Sequence, residues 1–153
     1  MSDADMMQLY SKRILALAAD IPHLGGIEDA QGSAMKRSPQ CGSTVTAHVR
    51  MEGGRVANFG QEVRACALGQ ASAGVLGQAV MGASREQIAM GAEQLRAMLK
   101  DGGPVPDAPW DGLEVLIPAR DYPNRHASIM LSWQAALDAI DAAQEADSSS
   151  AEG

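Results

Sequence analysis

Three observations predict an α+β fold for this 153-residue chain. A period-two stretch from Thr44 to Met51 leads into a Gly-Gly turn and a return strand. Apolar residues recur at helical spacing before and after that hairpin. No strand–helix–strand alternation is present to build a parallel sheet.

The elements follow in order. Met7, Tyr10, Ile14 and Leu17 lie on one helical face and Pro22 comes soon after, which predicts a first helix over residues 4–20. The polar stretch that follows contributes a short edge strand near Ala34–Lys36. In the next strand Val45, Ala47, Val49 and Met51 share one face, and Thr44, Thr46, His48 and Arg50 share the other. Gly53-Gly54 is a hairpin signal, and "RVANFGQEV" is the return strand. With a two-residue loop Glu52 opposes Arg55, and at constant register Cys41 comes opposite Cys66, the only other cysteine. Pairing is expected to fray before that point, so the expectation is proximity of the two thiols.

A second helix begins at Cys66, with Leu68, Val75, Leu76, Ala79 and Val80 apolar and with Gly69, Ala73 and Gly77 allowing close packing. A thiol at a helix N-terminus is favoured as thiolate by the helix dipole. Ser84 and Gln87 form a capping box before a third helix, which Gly102-Gly103 ends. "PVPDAPWDG" reads as a loop. The last helix carries Met130, Trp133, Leu137 and Ile140 at helical spacing. Residues 1–142 form one domain in this reading, and 143–153 an acidic, Ser-rich disordered tail.

Composition excludes several classes. The formal charge is −7 with no basic run, which argues against nucleic acid or an anionic membrane as partner. No apolar run approaches the roughly 20 residues of a membrane span. The start of the chain lacks a signal-peptide layout, so a cytoplasmic location is expected. In a reducing compartment two cysteines suit a ligand or reactive role better than a disulfide. Aromatic residues make up 3% of the chain, and nine methionines with many alanines supply apolar surface.

Chemistry is carried by few residues. His126 precedes Met130 and Trp133 by four and seven positions, so it continues the inward stripe. His48 falls on the polar strand face, and His23 has no partner suggested by spacing. Cys41, Cys66 and His126 together suit zinc or ferrous iron, because thiolate and imidazole are borderline-soft donors. A structural role is the competing reading for each, since cysteines are often small buried hydrophobes and a lone inward histidine is often satisfied by the core. No G-x-S-x-G, Walker A or G-x-G-x-x-G motif is present, and a Cys-His nucleophile pair lacks an evident oxyanion loop or orienting acid.

"PQCG" at 39–42, "RACALGQASAG" at 64–74 and "IPAR" with "RHASIMLSW" within 117–133 resemble the NifU/IscU/SufU-type iron–sulfur cluster assembly scaffold family. The likeness runs from "LYSKRIL" to "LSWQAALDAI", and "REQIAMGAEQLRAMLK" is more similar to the SufU branch. The resemblance implies a small antiparallel three-stranded sheet with helices packed on one side. It also implies a non-enzymatic scaffold that holds a transient [2Fe–2S] cluster or zinc, receives sulfur from a cysteine desulfurase, and passes its cargo to iron–sulfur client proteins. Cys41 and Cys66 match family ligands, and His126 matches the histidine of the branch with a His-Cys pair. Ser43 stands where the family usually has a carboxylate, and Ala127 where it has a third cysteine. A [2Fe–2S] cluster takes four protein ligands, so three leave one position open, with Ser43, Glu62 and Asp121 as further candidates. Two other functions fit the depleted set: a sulfur-transfer accessory that accepts persulfide, and a degenerate regulatory relative without a cluster.

Overall fold

The computed structural model describes residues 11–39 and 42–152, with side chains described as far as Glu145. Its elements are α1 (Lys12–Ala19), β1 (Gly32–Arg37), β2 (Thr44–Glu52), β3 (Arg55–Arg64), α2 (Ala67–Ala79), α3 (Arg85–Lys100), a 3₁₀ segment (Asp111–Asp121) and α4 (Pro123–Glu152). The sheet order is β1-β2-β3, antiparallel throughout. The predicted α+β class holds, with the edge strand longer than its Ala34–Lys36 core.

α1 starts at Ser11, whose hydroxyl accepts a hydrogen bond from the Ile14 amide. The predicted positions Met7 and Tyr10 lie outside the described residues. In β2 the expected alternation is present: Val45, Ala47 and Val49 are buried, and the residues between them are partly exposed.

The hairpin register differs from a straight ladder. Glu52 pairs with Arg55 and Met51 with Val56, but Arg50 then pairs with Asn58, so Ala57 is an extra residue on β3. Val56 and Phe59, three positions apart, are both buried. An unbroken period of two would turn one of them to solvent, and the bulge turns both inward. The one-residue offset persists to the last pair, Thr44 with Arg64. Extended at that register, Cys66 falls opposite Gly42, which corrects the cross-strand pairing expected from constant register.

Helices cover the apolar face of the sheet. α4 lies across β1 and β2, while α2 packs against α1, α4 and β3. α2 is buried nearly all round from Leu68 to Gly77, more fully than one stripe implies. Trp133, Leu68, Leu76, Leu95, Leu113, Leu116, Ile129 and Ile140 fill the centre. α3 carries the predicted capping box of Ser84 and Gln87 and ends at Asp101 before Gly102, which has positive φ. The predicted loop holds as far as Trp110, and 3₁₀ turns follow from Asp111, clamped where Arg120 donates to the Met98 and Gly103 carbonyls, each at 2.6 Å.

α4 also continues past the expected boundary at residue 142. Ala143 is buried, and its backbone approaches Gly32 so closely that a Cβ there would collide with it. The run "AQEA" after residue 142 consists of good helix formers, so local propensity and this contact both favour continuing the helix.

Candidate functional site

Cys66 is the N-cap of α2, a half-buried free thiol between the end of β3 and a helix that sits in the core. Its sulfur lies 3.5 Å from the Ser128 hydroxyl on α4. That hydroxyl lies 3.3 Å from the Ser43 hydroxyl and donates to it. Gly69 makes the approach feasible, since a Cβ there would stand 2.7 Å from Ser128 Oγ.

The electrostatics favour the anion at Cys66. Burial pushes the thiol up. Against it act the Ser128 hydroxyl, the Gly69 and Leu68 amides and the Arg125 guanidinium, and together they hold the pKa below the ordinary thiol value of 9.0. No capping hydrogen bond is closed to the sulfur, so the amides act through their dipoles. Ser128 has one proton. When the sulfur is a thiolate and receives that proton, the bond between the serines reverses and Ser43 becomes the donor.

The turn that carries Cys41 is tied at its base. The Ser38 amide donates to the Ser43 carbonyl at 2.8 Å, and the Gly42 amide to the Ser38 carbonyl at 2.9 Å. Cys41 itself lies outside the described residues. Its neighbour Ser43 is buried and reaches Cys66 through Ser128.

His126 is 4% exposed near the start of α4. Its Nε2 lies 2.8 Å from the Ala119 carbonyl, which can only accept, so Nε2 carries the proton and Nδ1 is left as an acceptor. Nδ1 is buried without a hydrogen-bond partner. An unpartnered imidazole nitrogen with its other nitrogen held by a carbonyl is the arrangement of a metal-binding histidine. Ala127, beside it, is exposed.

The other sequence candidates are placed elsewhere. Glu62 is on the solvent face of the sheet, 3.0 Å from His48 Nε2, and Ser33 holds the other nitrogen of that ring at 2.7 Å. His23 sets its ring edge-on to Phe59. Asp121 is exposed at the end of the 3₁₀ segment. Among the described residues no three His, Cys, Asp or Glu side chains gather as a metal site.

Ser128 and Arg125 are the residues that sequence reasoning missed. Their spacing of three puts them on one helical face, a signal present in "RHAS" but one that gains meaning only once α4 lies against the N-terminus of α2.

The model of the NifU-like N terminal domain matches residues 9–143, and the chain belongs to that family. It is 37% identical to the N-terminal part of a nitrogen-fixing NifU-like protein from Brucella abortus, whose crystal structure superposes with a TM-score of 0.89 over 92% of this chain and 98% of that one. The iron–sulfur cluster assembly scaffold protein IscU of Thermotoga maritima is 24% identical over 132 residues, covering 86% of this chain and 92% of the relative. A protein from Fervidobacterium islandicum AW-1, described as a putative iron–sulfur cluster assembly scaffold protein for the SUF system, shares the fold at 22% identity, with a TM-score of 0.75 over 86% of this chain and 98% of its own. No described helix is long and apolar enough to cross a membrane.

Proposed function

We propose that this chain is an iron–sulfur cluster assembly protein without turnover chemistry, which holds iron, a [2Fe–2S] cluster or zinc through Cys41, Cys66 and His126 and hands the cargo to client proteins. A cysteine desulfurase is the sulfur donor in this reading. The observation that carries it is the seat of Cys66: a thiol favoured as anion, joined through Ser128 to the turn that holds Cys41. Thiolates exchange metal and sulfur readily, and His126 Nδ1 adds a free acceptor on the adjoining turn of α4.

Anaerobic reconstitution with ferrous iron and sulfide tests the reading. A visible chromophore with about two irons per chain is expected, as a [2Fe–2S] cluster requires, and Cys41→Ala, Cys66→Ala and His126→Ala each lose most of it. Unchanged loading in both cysteine variants sinks the ligand assignment.

A second reading is favoured by the neighbours of Cys66, where the Ser128 hydroxyl lies beside the sulfur and is hydrogen-bonded to Ser43, the residue that stands where the family resemblance gives a carboxylate. In a sulfur relay the Cys66 thiolate attacks the outer sulfur of a donor persulfide. The donor's S–S bond breaks, its cysteine leaves as thiolate, and Cys66 becomes the persulfide. One cysteine that is labelled fast near neutral pH in metal-free protein, with no chromophore after reconstitution, supports this reading over the first.

A further inference from the structure

A cavity of about 460 Å³ opens between the end of β1, the second half of α3 and the first turns of α4. Its wall holds Arg37, Arg96 and Lys100 and no carboxylate, in a chain with 19 acidic and 12 basic residues. Arg96 is shared with Glu93 and Asp101. Among the described residues Arg37 and Lys100 have no ion-pair partner. The segregation of charge suits an anion, and the volume suits a small molecule better than a folded partner.

Two further features narrow its chemistry. Beside the cations the wall is neutral, formed by the buried His126, Met130 and Leu131. Ala127 lines it too, at the position where the family resemblance places a cysteine.

We propose that the cavity binds a small organic thiol bearing carboxylates, held by Arg37, Arg96 and Lys100, with its sulfur beside Ala127. Such a molecule returns from solution the thiol that this chain lacks at that position. The role rests on the reading of the neighbouring site as one that handles iron–sulfur cargo, whereas the binding itself does not.

Mercaptosuccinate and succinate, which differ only in the thiol, are the probes. Each is titrated into metal-free full-length protein while backbone amide resonances are followed. Mercaptosuccinate is expected to shift the amides of Ser38, Ala127 and Leu131 and to bind roughly threefold or more tighter than succinate, as burial of one apolar group of methylene size gives. Arg37→Ala combined with Lys100→Ala removes two exposed cations, leaves the fold intact, and weakens binding at least about tenfold. Absence of shifts at those amides, or affinity unchanged in the double variant, overturns the proposal. Equal affinity for the two acids overturns its thiol component. No metal is present in the titration, so failure to bind mercaptosuccinate and failure to load iron are separate results.

Discussion

Trp133 donates its indole N–H to the Ser72 hydroxyl at 3.0 Å, and Ser72 in turn donates to the Ile129 carbonyl at 2.8 Å. All of these groups are in the core, and they join α4 to α2 close to the point where Ser128, the residue before Ile129, meets Cys66. Replacing Ser72 with Ala strands a buried donor and leaves a buried carbonyl without this partner, at a cost of about 1–3 kcal/mol. Chemical denaturation at fixed pH measures it. A change under about 0.5 kcal/mol, as for an ordinary surface substitution, would show that the seam is not a structural tie.

Ser128→Ala removes the hydroxyl that stabilises the Cys66 anion. The thiol pKa then rises, and alkylation by iodoacetamide near neutral pH slows. The full pH profile of the alkylation rate separates this from altered access: a shifted midpoint supports the hydroxyl's role, and a uniformly scaled curve contradicts it.

The same lowered pKa links Cys66 to stability. The folded state releases the thiol proton at lower pH than the unfolded chain, where the thiol keeps its ordinary value. Between the folded and unfolded values the unfolded state binds more protons, so stability rises with pH. This contribution is complete above the unfolded value and is lost as pH falls through the folded one. Urea midpoints of the wild type and Cys66→Ala should therefore diverge in favour of the wild type as pH increases toward 9. Parallel curves would refute the linkage.

Gly69→Ala places a Cβ 2.7 Å from Ser128 Oγ and 2.8 Å from the Ala65 Cβ. Forcing an extra methyl into packed surroundings costs about 1–3 kcal/mol. Relaxation moves Ser128 away from Cys66, so thiol reactivity near neutral pH falls along with stability. Loss of stability with an unaltered thiol profile would mean that another neighbour absorbs the strain.

Glu62→Gln tests a ligand candidate that the fold places on the solvent face beside His48. Iron content after reconstitution is expected to stay unchanged, and stability to shift by no more than about 1.5 kcal/mol, the range of one side-chain hydrogen bond. A clear drop in iron per chain would return Glu62 to the ligand set.

Much of the fold was legible because local rules acted alone. Alternation in β2, the Gly53-Gly54 turn, and the capping box at Ser84 and Gln87 each depend on residues a few positions apart. The register beyond Met51 was harder to read. Val56 and Phe59 break the period of two between them, and that break is the written trace of the bulge at Ala57. The site was legible in part: Cys66 at a helix start and His126 on an inward stripe were readable from spacing. What surrounds Cys66 was not, because Ser43 and Ser128 are 85 residues apart along the chain and meet only when α4 crosses the sheet.

By itself the sequence determined the α+β class, the order of its strands and helices, and a thiol at the N-terminus of α2, since periodicity, turn chemistry and capping are short-range. Tertiary structure alone decided the one-residue register offset, the hydroxyls at Cys66, the carbonyl that leaves His126 Nδ1 unpartnered, and the gathering of Arg37, Arg96 and Lys100 around one cavity. These are meetings of distant segments, and the burial of apolar faces sets them: how closely α4 packs on the sheet and on α2 determines which polar groups come within reach of one another.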